Sequence, residues 1–99
     1  MRTGSISLAT VRYINGIVPL NGLFGVQLLC DNLSANTTFN LQFSNDKTNW
    51  DNATEAGTDI EGTLVDGAVN FNGFSGIPRT YYRILFAGAT TGTVEYVLS

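Results

Sequence analysis

Any chemistry in this chain has to come from carboxylates, hydroxyls, one thiol and a few aromatic rings, because the sequence contains no histidine. Histidine is the commonest general base and metal ligand near neutral pH. Without it, a serine nucleophile needs another base, and the single cysteine, Cys30, has no imidazole to activate it. Asp46, Asp51, Glu55, Asp59 and Glu61 cluster around one stretch of sequence. Two carboxylates can hydrolyse a glycosidic bond, yet carboxylates on loops are ordinary solvated charges, and that reading is favoured. Asp46, Asn49 and Asp51 offer oxygen ligands for calcium, but their spacing lacks the EF-hand pattern and its closing glutamate. The chain is therefore expected not to be an enzyme and to use no metal or cofactor.

Trp50 is the one tryptophan. Tryptophan is usually well buried, so the favoured reading is that its indole covers one end of the core. The other reading stacks it against a sugar together with Tyr81 and Tyr13. Cys30 ends the apolar run Val26-Gln-Leu-Leu-Cys30, where a free cysteine behaves as a small buried hydrophobe. A lone cysteine allows no internal disulfide, which suits a chain that folds in a reducing cytoplasm. Asn32-Leu-Ser34, Asn36-Thr-Thr38 and Asn52-Ala-Thr54 match the N-glycosylation pattern. With no signal peptide evident, they are expected to carry no sugar.

The bulk composition narrows the function classes. Ninety-nine residues make one domain with one core. Charged residues are 13 % of the chain, about half the usual share. The polar surface must then come from Thr, Asn, Ser and Gly, which suit sheets and turns and are cheaper to bury than charges when copies pack together. Net charge is −3, and Arg2, Arg12, Lys47, Arg79 and Arg83 are scattered along the sequence. Nucleic-acid binding needs clustered positive charge, so no nucleic-acid partner is expected. No apolar run approaches the ~20 residues of a membrane helix, so no membrane partner is expected either.

The elements that must position these residues are strands. Thr38 to Phe43 alternates with Phe39, Leu41 and Phe43 on one side; Tyr82, Ile84 and Phe86 do the same, as do Val94, Tyr96 and Leu98. Arg83 then points outward. Weaker strands are expected over residues 5–13, 23–30, 60–65 and 68–72. Asp66-Gly67 reads as a two-residue hairpin turn, and residues 88–92 as a second hairpin joining the last two strands. Pro19 and Pro78 fall outside the strong strands. The pattern predicts an all-β domain, a single antiparallel β-sandwich of jelly-roll or Ig-like type with about seven to eight short strands. Residues 1–22 are read as an N-terminal strand and an arm-like segment, and residues 23–99 as the sandwich core. The irregular stretch from Ile14 to Phe24 is either a loop under the sheet or an arm completing a neighbouring subunit. Leu85 and Val97 fall on the outward face of the last two strands, beside Tyr81. Such a stripe marks a contact surface, unless it is a second core layer or the register is shifted. Tyr81, Leu85, Val97 and Trp50 are thus the candidate interaction surface.

Two stretches carry a resemblance. Asn40-Leu-Gln-Phe-Ser-Asn-Asp-Lys-Thr-Asn-Trp50 resembles a strand-and-turn signature of virion proteins of tailed bacteriophages, with Lys47 where glycine is more usual. Tyr82-Arg-Ile-Leu-Phe-Ala-Gly-Ala-Thr-Thr-Gly-Thr-Val94 resembles the companion hairpin of the same proteins. Together they cover residues 23–99, and residues 1–22 have no counterpart. The resemblance implies a non-enzymatic virion structural protein, foremost a capsid decoration or cement protein on the head exterior. A tail or head–tail component is its near alternative, and a carbohydrate-binding module a more distant one. The implied partners are the major capsid protein or other virion proteins and further copies of the chain, with a sugar as the alternative. The implied location is the virion, assembled in the bacterial host cytoplasm.

Overall fold

The alternation of Phe39, Leu41 and Phe43 with Thr38, Asn40 and Gln42 gives a strand one wet face and one dry face, and the fold is built by burying dry faces against each other. A computed structural model of the chain describes residues 2–67, 69–74, 80–88 and 91–99, with backbone alone for 70–72. Its strands are β1 (Arg2–Ser7), β2 (Tyr13–Ile17), β3 (Phe24–Asp31), β4 (Thr37–Ser44), β5 (Asp51–Asn52), β6 (Thr54–Glu55), β7 (Thr58–Asp59), β8 (Glu61–Leu64), β9 (Val69–Phe74), β10 (Tyr81–Ala87) and β11 (Thr93–Leu98). No helix occurs among the described residues. One sheet has the order β1-β11-β3-β9. The second runs β2-β10-β4, with β5 and β8 both pairing β4, and β6 and β7 form a separate two-stranded ribbon. Every pairing is antiparallel. The fold is all-β, with two main antiparallel sheets that share one core, an arrangement compatible with a β-sandwich.

The core draws on both sheets. Val26, Leu28, Cys30, Val94 and Leu98 come from the first, and Ile14, Phe39, Leu41, Leu64, Ile84 and Phe86 from the second. Each large apolar side chain so buried contributes roughly 1.5–3 kcal/mol. Phe24 of β3 stacks on Tyr82 of β10 with centroids 4.2 Å apart and meets Phe43 of β4 edge-on at 6.4 Å. These contacts pin one sheet on the other at the end where the chain terminates. Thr37 and Ser44 are the fully buried polar side chains among the described residues; the Thr37 hydroxyl donates to the Ala87 carbonyl across the β4–β10 pair.

Several expectations need correction. Residues 5–13 are not one strand, because the Ser7 carbonyl accepts from the Thr10 and Val11 N–H groups and turns the chain between β1 and β2. The stretch read as irregular contains β2, which pairs with β10, while β1 pairs with β11. Residues 2–17 are thus part of both sheets of their own chain. Asp66-Gly67 does not close a hairpin: β8 belongs to one sheet and β9 to the other, so this turn carries the chain across the core. Gly67 supplies a φ of 77° there and its N–H donates to the Cys30 carbonyl, while the Asp66 carboxylate accepts from the Leu33 N–H. Likewise β10 and β11 lie in different sheets and do not pair. The connection between them is tied to neighbouring loops instead, through Leu8 N–H to the Gly92 carbonyl and Ser34 N–H to the Thr91 carbonyl. Ala68 and Pro78 lie outside the described residues.

Candidate functional site

The split of β10 and β11 between sheets separates the predicted surface. Tyr81 and Leu85 stand on the outer face of the β2-β10-β4 sheet, whereas Val97 stands on the outer face of the other sheet, on the far side of the molecule. The single stripe expected from Leu85 and Val97 does not exist. Around Val97 the surface is a shallow groove of mixed polarity with Thr3, Ser5, Gln27, Leu29, Glu95 and Tyr96.

The structure gathers the other candidates on one face. Cross-strand partnering sets Arg83 between Asn15 of β2 and Gln42 of β4, and Leu85 between Tyr13 and Asn40. Trp50 leaves the end of the turn after β4 and returns over this face, so it does not join the core as expected. Its indole packs against the Arg83 guanidinium, 4.4 Å from the ring centroid. Tyr13 lies on the other flank of the same guanidinium, at 5.9 Å. Arg83 Nε donates to the Gln42 amide oxygen at 2.9 Å, which fixes the cation in the middle of the sheet. Burial among these groups pulls the guanidinium below its ordinary pKa, though an arginine keeps its charge.

The turn of residues 45–49 aims a second cation at this face. Asp46 builds it: its carboxylate accepts the N–H groups of Asn49 and Thr48, the Asn49 amide and the Ser44 hydroxyl. The Asn49 and Thr48 N–H bonds, with the two side-chain bonds behind them, hold Asp46 well below the usual carboxylate range. These bonds commit the Asp46 carboxylate to holding the turn. Lys47 sits at φ 64°, the left-handed region that glycine adopts without penalty. The Lys47 side chain carries its ammonium over the Tyr81 ring, 4.7 Å from the centroid.

Between β2, β10 and this turn lies a hollow of about 150 Å³, lined by Arg2, Asn15, Ile17, Lys47, Trp50 and Tyr81, with Gly16 at its floor. Arg2 arrives from β1 of the opposite sheet, where its guanidinium donates to the Asn15 carbonyl at 2.7 Å and links the two sheet edges. Trp50 and Tyr81 were legible as candidates; Arg2, Asn15, Lys47 and Arg83 were not. No local pattern brings them together: Asn15 and Arg83 meet through the register of β10 with β2, Arg2 arrives from β1 and Lys47 from the turn after β4. Cys30 is fully buried, and burial, aided by Asp66, pushes its thiol up, away from the reactive thiolate. Among the described residues no group of His, Cys, Asp and Glu side chains converges as metal ligands.

Comparison of the chain with protein-family models, with curated proteins and with solved structures finds no match.

Proposed function

We propose that this chain is a non-enzymatic virion structural protein of a tailed bacteriophage, a decoration or cement protein on the outside of the capsid. The observation that carries the reading is the strand order. Sheets ordered β1-β11-β3-β9 and β2-β10-β4-β8 support an eight-stranded jelly roll made of two Greek keys, an architecture used by viral capsid and lectin domains. Fold alone does not give function. The resemblance of residues 40–50 and 82–94 to phage virion proteins selects among the functions this fold hosts. The left-handed Lys47, standing where glycine is more usual, supports that likeness, because a turn of that shape explains the glycine. The partners are the capsid shell and further copies of the chain.

Particles purified from the phage that encodes this chain test the reading. Mass spectrometry is expected to find the chain in them, and gold-labelled antibody to mark the head. Label on the tail would move the assignment to a tail or head–tail component. Absence from the particles would overturn the virion reading altogether.

A second reading, a carbohydrate-binding module, is favoured by one specific observation. Trp50, Tyr13 and Tyr81 gather on a single sheet face beside hydrogen-bonding amides, the combination that grips a sugar's apolar face and its hydroxyls.

A further inference from the structure

We propose that the hollow between β2, β10 and the 45–49 turn binds an acidic sugar, a pyranose bearing a carboxylate or sulfate. This rests on the carbohydrate reading of the face and adds the charge of the ligand.

The charge distribution is the starting point. The chain has net charge −3 and only five basic residues. Arg2 and Lys47 nevertheless line the hollow, Arg83 backs its Trp50 wall, and no carboxylate lines it. An acidic protein that concentrates its cations around one depression makes a local positive potential that draws anions.

The rings decide what kind of anion. A free phosphate would use the cations and leave Trp50 and Tyr81 idle. A neutral sugar would stack on the rings and leave the cations idle. An acidic pyranose uses both: its acid group meets Lys47 and the remaining N–H donors of Arg2, and its C–H groups pack beside them on the parts of Trp50 and Tyr81 that line the hollow. The two cations approach from separate elements. Arg2 is tethered by its bond to the Asn15 carbonyl, and Lys47 is held over Tyr81 by a turn whose left-handed residue would be less strained as glycine. Strain retained in a ligand clamp is a recurrent feature of binding sites.

Trp50 is the one tryptophan, so selectively excited indole emission reports on this site alone. The full chain is titrated with sialyllactose, with a sulfated disaccharide, with lactose and with poly-glutamate. A saturable change is expected with at least one acidic sugar, at least about threefold tighter than with lactose and weakening as salt is raised. Lys47→Asn, which suits the left-handed turn, is expected to abolish that preference at an unchanged or higher Tm, and Arg2→Gln provides the same test from the other strand. Equal affinity for lactose would overturn the acidic-sugar proposal and leave the sugar reading standing. No response to any sugar would overturn both. A response to poly-glutamate alone would make this an acidic-peptide site and overturn the proposal. Detection of the chain in phage particles bears on neither result.

Discussion

The ring of Tyr82 on β10 occupies the space where a Cβ of Gly16 on β2 would stand, and the two residues are direct partners in the ladder. The same relationship recurs at two other sheet edges. Tyr96 of β11 lies across Gly4 of β1, and Phe39 of β4 across Gly62 of β8. In each case an inner strand's aromatic covers an edge-strand glycine, a pairing that rescues the weak backbone of glycine in a sheet. Gly16→Ala is therefore expected to destabilise the fold by about 1–3 kcal/mol through overpacking. Gly73→Ala, where nothing approaches within 4 Å, is expected to be neutral or stabilising by up to about 1 kcal/mol. Urea denaturation of the two variants checks the contrast, and equal effects would mean that Tyr82 does not rest on Gly16.

The inward faces of β4 and β10 could be read directly, because alternation is local: Phe39, Leu41, Ile84 and Phe86 are all in the core. The pairing could not. Strand β1 meets β11, and β2 meets β10, at opposite ends of the chain. Asp66-Gly67 and the stretch 88–92 have hairpin chemistry, yet each stands between strands of different sheets, since a turn residue fixes a backbone angle and not the strand that follows. Leu85 and Val97 were each legible as outward-facing, but their sheets were not, so the expected stripe dissolved. Trp50 was drawn to the core by its size, while the Arg83 guanidinium that holds it outside depends on register alone.

Lys47 stands at φ 64°, where an L side chain costs roughly 1–2 kcal/mol. Part of that cost returns through the lower unfolded-state entropy of a non-glycine residue. Lys47→Gly is expected to stabilise the chain by about 0.5–1 kcal/mol, read as a raised urea midpoint at unchanged m-value. A lower midpoint would show that the ammonium's contact with Tyr81 outweighs the backbone strain.

Asp46 makes the stability of the turn depend on pH. Its folded pKa lies below the unfolded value of about 3.9. The unfolded chain therefore binds the proton first. The stabilisation is complete above the unfolded pKa and is lost as pH falls through the folded one. Thermal melts are expected to hold their Tm from pH 7 to about pH 5 and to decline below about pH 4. Asp46→Asn lowers the Tm at neutral pH and flattens the acid decline. An acid limb unchanged in the variant would locate the responsible carboxylate elsewhere.

Cys30 is buried and its thiol is pushed up, first by burial and then by Asp66. Thiol reagents attack the thiolate, so the native chain is expected to resist labelling at neutral pH and to react fully in denaturant. The slow native labelling that remains then follows the population of the open chain and rises in Gly16→Ala. Labelling of the native chain as fast as the unfolded one would place Cys30 at the surface.

The two outward faces can be tested one at a time, because Leu85 and Val97 lie on different sheets. Both are half-buried at the surface and neither belongs to the core, so glutamate at either site should leave a cooperative fold. Leu85 sits in the row with Tyr13 and Asn40, next to Arg83 and its aromatic flanks; Val97 borders a shallow groove to which Thr3, Ser5, Gln27 and Glu95 contribute polar groups. Apolar and aromatic side chains anchor interfaces, while polar grooves contribute complementarity. If the chain decorates capsids as proposed, Leu85→Glu is expected to abolish attachment to particles, and Val97→Glu to leave it within about twofold. Co-sedimentation of each purified variant with particles stripped of the protein provides the measurement, with circular dichroism melts to confirm folding. The reverse pattern would move the contact surface to the β1-β11-β3-β9 sheet, and loss of attachment in both would mean that the chain is gripped from two sides, as a plate between neighbouring capsomers.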